Sequence, residues 1–186
     1  MTDIIIAGVG GQGNILLSRV ICQLYTNKGF DVKSAENIGM SQRGGSVVSY
    51  IRTGENVGPI IPDNMADILI GLEMCEAARN VNKINKDSIV VLNDRFIRFN
   101  SLDFKKNQIV KFFELNFPKL RIVSAYDIAV KLDMPKAENI VMLALVCKDG
   151  FLPFSKEEIL KALEQVLRPK MYEMNKILVE NIYEKY

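Results

Sequence analysis

Ile4-Ile5-Ile6-Ala7-Gly8-Val9-Gly10-Gly11-Gln12-Gly13 is the stretch on which the fold turns. A short, β-branched apolar run that ends on glycine reads as a buried parallel strand, here Asp3 to Val9. Asn14 to Asn27 follows with Ile15, Leu16, Val20, Ile21 and Leu24 on one broad face, the pattern of an amphipathic helix. Gly29 ends that helix, and Phe30 to Ala35 suits a second strand. The result is a βαβ unit whose first turn holds Gly8, Gly10 and Gly13 in the G-x-G-x-x-G spacing.

Strand and helix patterns keep alternating beyond this unit. Ser46 to Arg52 and Asp67 to Gly71 read as strands, Glu73 to Lys83 as a helix and Ser88 to Leu92 as another strand. Pro59-Ile60-Ile61-Pro62 is a stiff extended connection, because each proline biases its predecessor away from helix. Phe96 to Asn107 reads as a loop or hairpin, Ile109 to Phe113 and Arg121 to Val123 as strands, and Tyr126 to Leu132 as a short helix. Ala137 to Lys148 is a strongly apolar helix. Ser155-Lys156-Glu157-Glu158 is a capping box opening a helix that Pro169 closes, and Met171 to Lys185 is a final amphipathic helix. The expected class is α/β: a Rossmann-like, mostly parallel sheet flanked by helices, as one domain over 1–186 with a helical portion from about 137.

Three readings of the glycine turn stay open. In a dinucleotide site the first glycine makes the turn and the second admits pyrophosphate. The third lets helix and strand pack, and Glu36, ending the second strand, is placed to meet the ribose. The same loop also suits an anion- or partner-facing surface, or close packing alone. A second device follows in Gly39-Met40-Ser41-Gln42-Arg43-Gly44-Gly45-Ser46-Val47. Its glycines allow close backbone approach, and the Arg43 guanidinium offers a donor fork for carboxylate or phosphate. Glu73 and Glu76, three apart, read as favouring a helix N-terminus rather than as a catalytic pair.

Composition narrows the function classes. A net charge of +2 and a charged fraction of 25%, without a basic run, argue against a nucleic-acid binder. No apolar stretch reaches bilayer length, and the first apolar run has no charged leader, so neither a membrane partner nor export is expected. Cys22, Cys75 and Cys147 are far apart and form no Cys-x-x-Cys pair. They read as buried thiols in a reducing, cytoplasmic setting, and they are too few to ligate an iron–sulfur cluster. The chain has no histidine, which excludes Ser-His-Asp, Cys-His and histidine–metal sites. Any difficult chemistry therefore belongs on a cofactor or on another chain.

The two glycine segments, in this order and spacing, resemble the γ-type chains of the 2-oxoacid:ferredoxin oxidoreductases, and among them the small (β) subunits acting on indolepyruvate. The resemblance continues through Pro59-Ile60-Ile61-Pro62, Ala66-Asp67-Ile68-Leu69, Glu73, Glu76-Ala77 and Arg79. It resumes at Asp127-Ile128-Ala129, Glu138-Asn139-Ile140-Val141-Met142-Leu143 and Asn175. It implies a subunit of an anaerobic enzyme that oxidatively decarboxylates a 2-oxoacid to its acyl-coenzyme A and passes electrons to ferredoxin. Thiamine diphosphate, magnesium and iron–sulfur clusters are expected on a large partner subunit, with coenzyme A as co-substrate and no cofactor on this chain alone. By the same resemblance Gly8, Gly10, Gly11, Gln12 and Gly13 form one active-site-facing turn, and Gln42, Arg43, Gly44 and Gly45 the other. No catalytic residue is expected in this chain alone, which is then inactive by itself. Ile38 and Tyr50 stand where the indolepyruvate type commonly has histidines. A stand-alone dinucleotide-binding oxidoreductase and a non-enzymatic binding module of the same fold are the alternatives.

Overall fold

The structure, a computed structural model, describes residues 1–39, 44–97 and 105–186. Its first half runs β1 (Thr2–Val9), α1 (Asn14–Asn27), β2 (Val32–Ile38), β3 (Ser46–Thr53), β4 (Ala66–Gly71), α2 (Met74–Arg79) and β5 (Ile84–Asn93). The second half runs α3 (Lys106–Asn116), β6 (Leu120–Val123), α4 (Ala125–Lys131), α5 (Glu138–Lys148), α6 (Lys156–Val166) and α7 (Pro169–Lys185). The six strands form one sheet in the order β2-β3-β1-β4-β5-β6. β1, β4, β5 and β6 pair in parallel, whereas β3 is antiparallel to both β1 and β2.

The first unit therefore departs from a simple βαβ. β1 and β2 run in the same direction, but β3 lies between them. Burial accounts for the swap: seven of the eight β3 residues are buried, so the strand is apolar enough for the sheet interior. Val-Lys-Ser-Ala-Glu-Asn-Ile of β2 is exposed or half-buried throughout and takes the edge. The expected strand at Ile109 to Phe113 is instead part of α3. Ile109 and Phe113 are buried at i and i+4 while Lys111 and Phe112 between them are exposed, and a five-residue window does not separate that pattern from a strand. The expected helix from Glu73 breaks into α2 and a separate 3₁₀ turn at Val81–Lys83. The second strand begins two residues later than expected, and α7 begins at Pro169, whose fixed φ suits a first helical turn. Most of Phe96 to Asn107 lies outside the described residues.

Side chains on the two faces of the sheet feed two cores. On one face Ile4, Ile6, Ile51, Ile68 and Ile70 pack with α1, α4, α5, α6 and α7. On the other, Ile5, Ala7, Tyr50, Leu69 and Leu92 pack with α2 and α3. α5 is the pillar of the thicker side, its ten residues from Glu138 to Cys147 all buried. Truncating one of them, such as Leu143→Ala, would cost about 2–5 kcal/mol. α6 opens on the expected capping box, Ser155 Oγ accepting from the Glu158 amide and Glu158 accepting from the Ser155 amide. At the amino end of the sheet Arg52 grips buried Asp3 with two bonds of 3.0 Å. Its remaining terminal nitrogen donates to the Gly58 and Ile60 carbonyls, which ties the Pro59–Pro62 connection to β3.

Candidate functional site

The glycine turn and the start of β3 meet at the carboxyl ends of the parallel strands, where open α/β sheets place their ligands. The Gly10 amide donates to the Gly45 carbonyl at 2.8 Å, so the two devices 35 positions apart form one ridge. The Gly39 amide donates to the Ser46 carbonyl at 2.8 Å and closes the second loop at its base. Gly10, Gly11 and Gly44 are exposed and Gly45 and Gly13 half-buried, leaving bare backbone at the surface. Gln42 and Arg43, the other two candidates, lie outside the described residues.

Beneath that ridge is a buried polar network. Gln12 turns inward: its Oε1 accepts from the Val9 amide at 2.9 Å, and its Nε2 donates to the Leu72 carbonyl and to Glu138 Oε1. Glu138 Oε2 accepts from Asn93 Nδ2 at 2.9 Å. Asn93 also donates to Leu72 O and accepts from the Ala125 amide. One carboxylate thus joins the β1–α1 turn, the end of β4, the end of β5 and the starts of α4 and α5. Asn139, next in sequence, donates to the Gly13 carbonyl. Asn14 donates to the Val47 carbonyl and fastens α1 to β3.

The glycine positions follow from this packing. A Cβ on Gly8 would lie 2.8 Å from Asn14 Oδ1 and 2.9 Å from Gln12 Oε1. A Cβ on Gly13 would run into the Asn139 carboxamide, and Gly13 has φ of 79°. The features that would serve a dinucleotide are otherwise engaged. The Gly10 donor already holds Gly45, and Gln12 and Asn139 pack against the turn. Glu36 is mid-strand on the exposed edge, opposite Ser49, which pairs with Ile6 well below the turn.

Glu73 is the N-cap of α2, accepting from the Glu76 amide at 2.9 Å, and its other oxygen accepts from the Ile97 amide at 2.9 Å. Burial pushes its carboxyl above the ordinary glutamate range. Glu76 is buried and 3.3 Å from Arg79, which agrees with a helix-end role for both acids. Ile38 is exposed at the end of β2, whereas Tyr50 is buried between Ile5 and Ala35 in the second core.

A cavity of about 540 Å³ of mixed lining opens beside the network, with Arg95, Lys106, Tyr126 and Asp127 beside Phe96 and Ile97. Arg95 stacks 3.8 Å over the Tyr126 ring there. Among the described residues no group of three or more His, Cys, Asp or Glu side chains is arranged to hold a metal. Burial pushes the Cys75 thiol up to about 11 and the Cys147 thiol to about 12, and it also raises Cys22. Dispersed thiols held protonated do not fit an iron–sulfur cluster, which needs converging thiolates. No helix among the described residues is long and apolar enough to cross a membrane.

Sequence reasoning singled out the exposed glycines of this ridge but not Asn93, Glu138 or Asn139 as its support. The available signal was a Glu-Asn pair opening an otherwise apolar helix, and an asparagine ending a buried strand.

A family model for pyruvate ferredoxin/flavodoxin oxidoreductase matches residues 3–185. Indolepyruvate oxidoreductase subunit IorB of Archaeoglobus fulgidus is 32% identical over 183 residues, covering 93% of this chain and 89% of that one. The subunit of the same name from Methanothermobacter thermautotrophicus is 33% identical over 179 residues, covering 93% and 91%. Among solved structures, pyruvate oxidoreductase subunit PORC from Thermotoga maritima shares the fold with a TM-score of 0.68 at 20% identity, over 98% of this chain and 95% of that one. A 2-oxoglutarate:ferredoxin oxidoreductase from Magnetococcus marinus, solved with 2-oxoglutarate, coenzyme A and succinyl-CoA bound, aligns with a TM-score of 0.70 at 14% identity. That alignment takes in 100% of this chain but 31% of the other. With nearly its whole length matched by the family model and by curated relatives above 30% identity, the chain belongs to the pyruvate ferredoxin/flavodoxin oxidoreductase family.

Proposed function

We propose that this chain is the small subunit of a cytoplasmic 2-oxoacid:ferredoxin oxidoreductase that acts on indolepyruvate or a related arylpyruvate, and that it is inactive alone. One observation carries the reading. The chain corresponds to almost the full length of curated small subunits, yet to only 31% of a ligand-bound oxidoreductase chain of the same fold. That difference in length supports a partner chain carrying what the longer polypeptide holds in one piece. Its own residues agree: no histidine, buried protonated thiols, and a polar network whose members are bonded to each other.

In the assembled enzyme, thiamine diphosphate supplies the carbanion chemistry and iron–sulfur clusters the electron path to ferredoxin, both on the large subunit. This chain's contribution is shape and charge. The exposed backbone of Gly10, Gly11 and Gly44 lets the partner or coenzyme A come close without a side chain in the way. Glu138 and Gln12 hold that backbone rigid from beneath. Arg43, in the same loop, stabilises an anionic group, either the 2-oxoacid carboxylate or a coenzyme A phosphate.

The test is co-expression with a thiamine- and cluster-bearing large chain, followed by 2-oxoacid-dependent reduction of a viologen dye. The pair should turn over and the isolated chain should not. Arg43→Ala should lower turnover while assembly and thermal stability stay unchanged. Oxidation of a metabolite by the isolated chain, or failure to associate with every such large chain, overturns the reading. Tight NAD(H) binding by the isolated chain would instead favour a stand-alone dinucleotide enzyme.

A further inference from the structure

β2 is an edge strand with its hydrogen-bonding groups half used. The bonds from the Gly39 amide to Ser46 O and from the Gly54 amide to Asp31 O fix the phase of its ladder with β3. Because such bonds alternate along an antiparallel pair, Lys33, Ala35 and Asn37 direct their amides and carbonyls at β3. Val32, Ser34, Glu36 and Ile38 direct theirs outward. Among the described residues no strand lies beyond β2. Of the usual guards of an edge the strand carries two exposed charges, Lys33 and Glu36, but it has no proline, and its register with β3 is unbroken from Val32 to Ile38.

We propose that a second copy of this chain pairs with this edge, β2 against β2 about a two-fold axis, making one continuous sheet across the dimer. Complementarity picks the occupant and the register. A two-fold axis normal to the sheet keeps each side chain on its own face, so residues that meet must share parity. Centring the axis on Ala35 sets Val32 opposite Ile38, Lys33 opposite Asn37 and Ser34 opposite Glu36, twice over. The side chain of Ile38, now 59% exposed, gains an apolar neighbour. The Glu36 carboxylate gains a hydroxyl donor, and no like charges meet. The neighbouring registers are worse. Centring on Glu36 or on Lys33 opposes identical charges, and centring on Ser34 sets Val32 against Glu36. The favoured register closes about eight N–H···O bonds from the four outward-facing residues of each copy.

Disulfide trapping tests the register directly. Ala35 would meet its own counterpart at a non-hydrogen-bonded site, where Cα atoms are about 4.5 Å apart, within reach of a disulfide. Ala35→Cys should run mainly as a covalent dimer without reductant. Asn37→Cys, facing Lys33, should cross-link no more than the unmodified chain, whose half-buried Cys22 sets the background. In sedimentation the full chain should dimerise with concentration. Glu36→Pro removes an outward amide that β3 does not use, and should weaken the dimer at least about tenfold with thermal stability unchanged. A monomeric full chain at high concentration, or equal cross-linking at positions 35 and 37, overturns the proposal. So does loss of the large subunit, rather than of the second copy, in Glu36→Pro. None of these readouts depends on oxidoreductase activity, so the proposed function can fail while this interface stands, and the reverse.

Discussion

Glu138→Gln tests whether the buried network holds the glycine ridge. The wild-type carboxylate accepts from two carboxamide donors, Gln12 Nε2 at 3.2 Å and Asn93 Nδ2 at 2.9 Å. A glutamine of the same shape presents one oxygen and one NH₂. It can therefore serve one donor but must turn its own hydrogens on the other. One bond to a charged acceptor is lost, worth about 1.5–3 kcal/mol, and the other falls to a neutral bond. Relief from burying a carboxylate returns part of this, leaving a net loss of about 2 kcal/mol. For a chain of this length that is roughly 4–8 °C in Tm. Urea unfolding of the purified chain measures it, with the slope against denaturant unchanged. Gln12→Ala and the double variant complete a cycle whose coupling should be about 1 kcal/mol. A Glu138→Gln loss under about 0.5 kcal/mol, or zero coupling, refutes the network as the support of the turn.

Gly13→Ala should be worse than Gly11→Ala. Both have positive φ, but an added Cβ meets Asn139 at the first and nothing within 4 Å at the second, so the expected costs are about 2–4 and about 1–2 kcal/mol by thermal unfolding. Thiol labelling of the native chain at pH 8 should modify Cys22 slowly and spare Cys75 and Cys147, with all three reacting in denaturant; rapid native reaction of Cys147 contradicts its burial. Because the folded chain raises the Glu73 carboxyl, its contribution is fully present below the ordinary glutamate range and is lost as pH rises through the raised folded value. Unfolding free energies should accordingly shift in favour of Glu73→Gln, relative to wild type, as pH rises from the ordinary glutamate range through the raised folded value, and a pH-independent difference would refute that ordering.

The strand–glycine–helix start was legible because its signals are local. The helix Asn14–Asn27 lies where the apolar periodicity put it, and the α6 capping box is as written in Ser155 and Glu158. The strand order was not legible. β2 and β3 are both short runs, and what separates them is burial on both faces against exposure on both, a comparison between segments rather than a pattern within one. Ile109 to Phe113 failed for the reverse reason: a window of five residues satisfies a strand and one face of a helix equally. At the site, the exposed glycines announced themselves, whereas Glu138 and Asn139 are 126 residues from their partners in the turn. A carboxylate at the head of an apolar helix reads as an end effect until the sheet brings Gln12 and Asn93 to it.

Packing alone accounts for the glycines at the two ends of the G-x-G-x-x-G spacing. Two of its glycines have a protein reason: Gly8 clears Asn14 and Gln12, and Gly13 clears Asn139, whereas a Cβ on Gly10 would make only ordinary contacts, 3.7 Å from the Gly45 carbonyl. Pyrophosphate and a packed carboxamide require the same absence of a Cβ, so spacing alone does not separate the two. The side chains that approach the turn do. Here those side chains are the amides of Gln12, Asn14 and Asn139, Gln12 being bonded to the buried Glu138 carboxylate, and an added anion at that depth would face Glu138 with no unused donor from Gln12 or Asn93. A negative ligand at the ridge would therefore meet the exposed backbone of Gly10, Gly11 and Gly44 rather than the buried network.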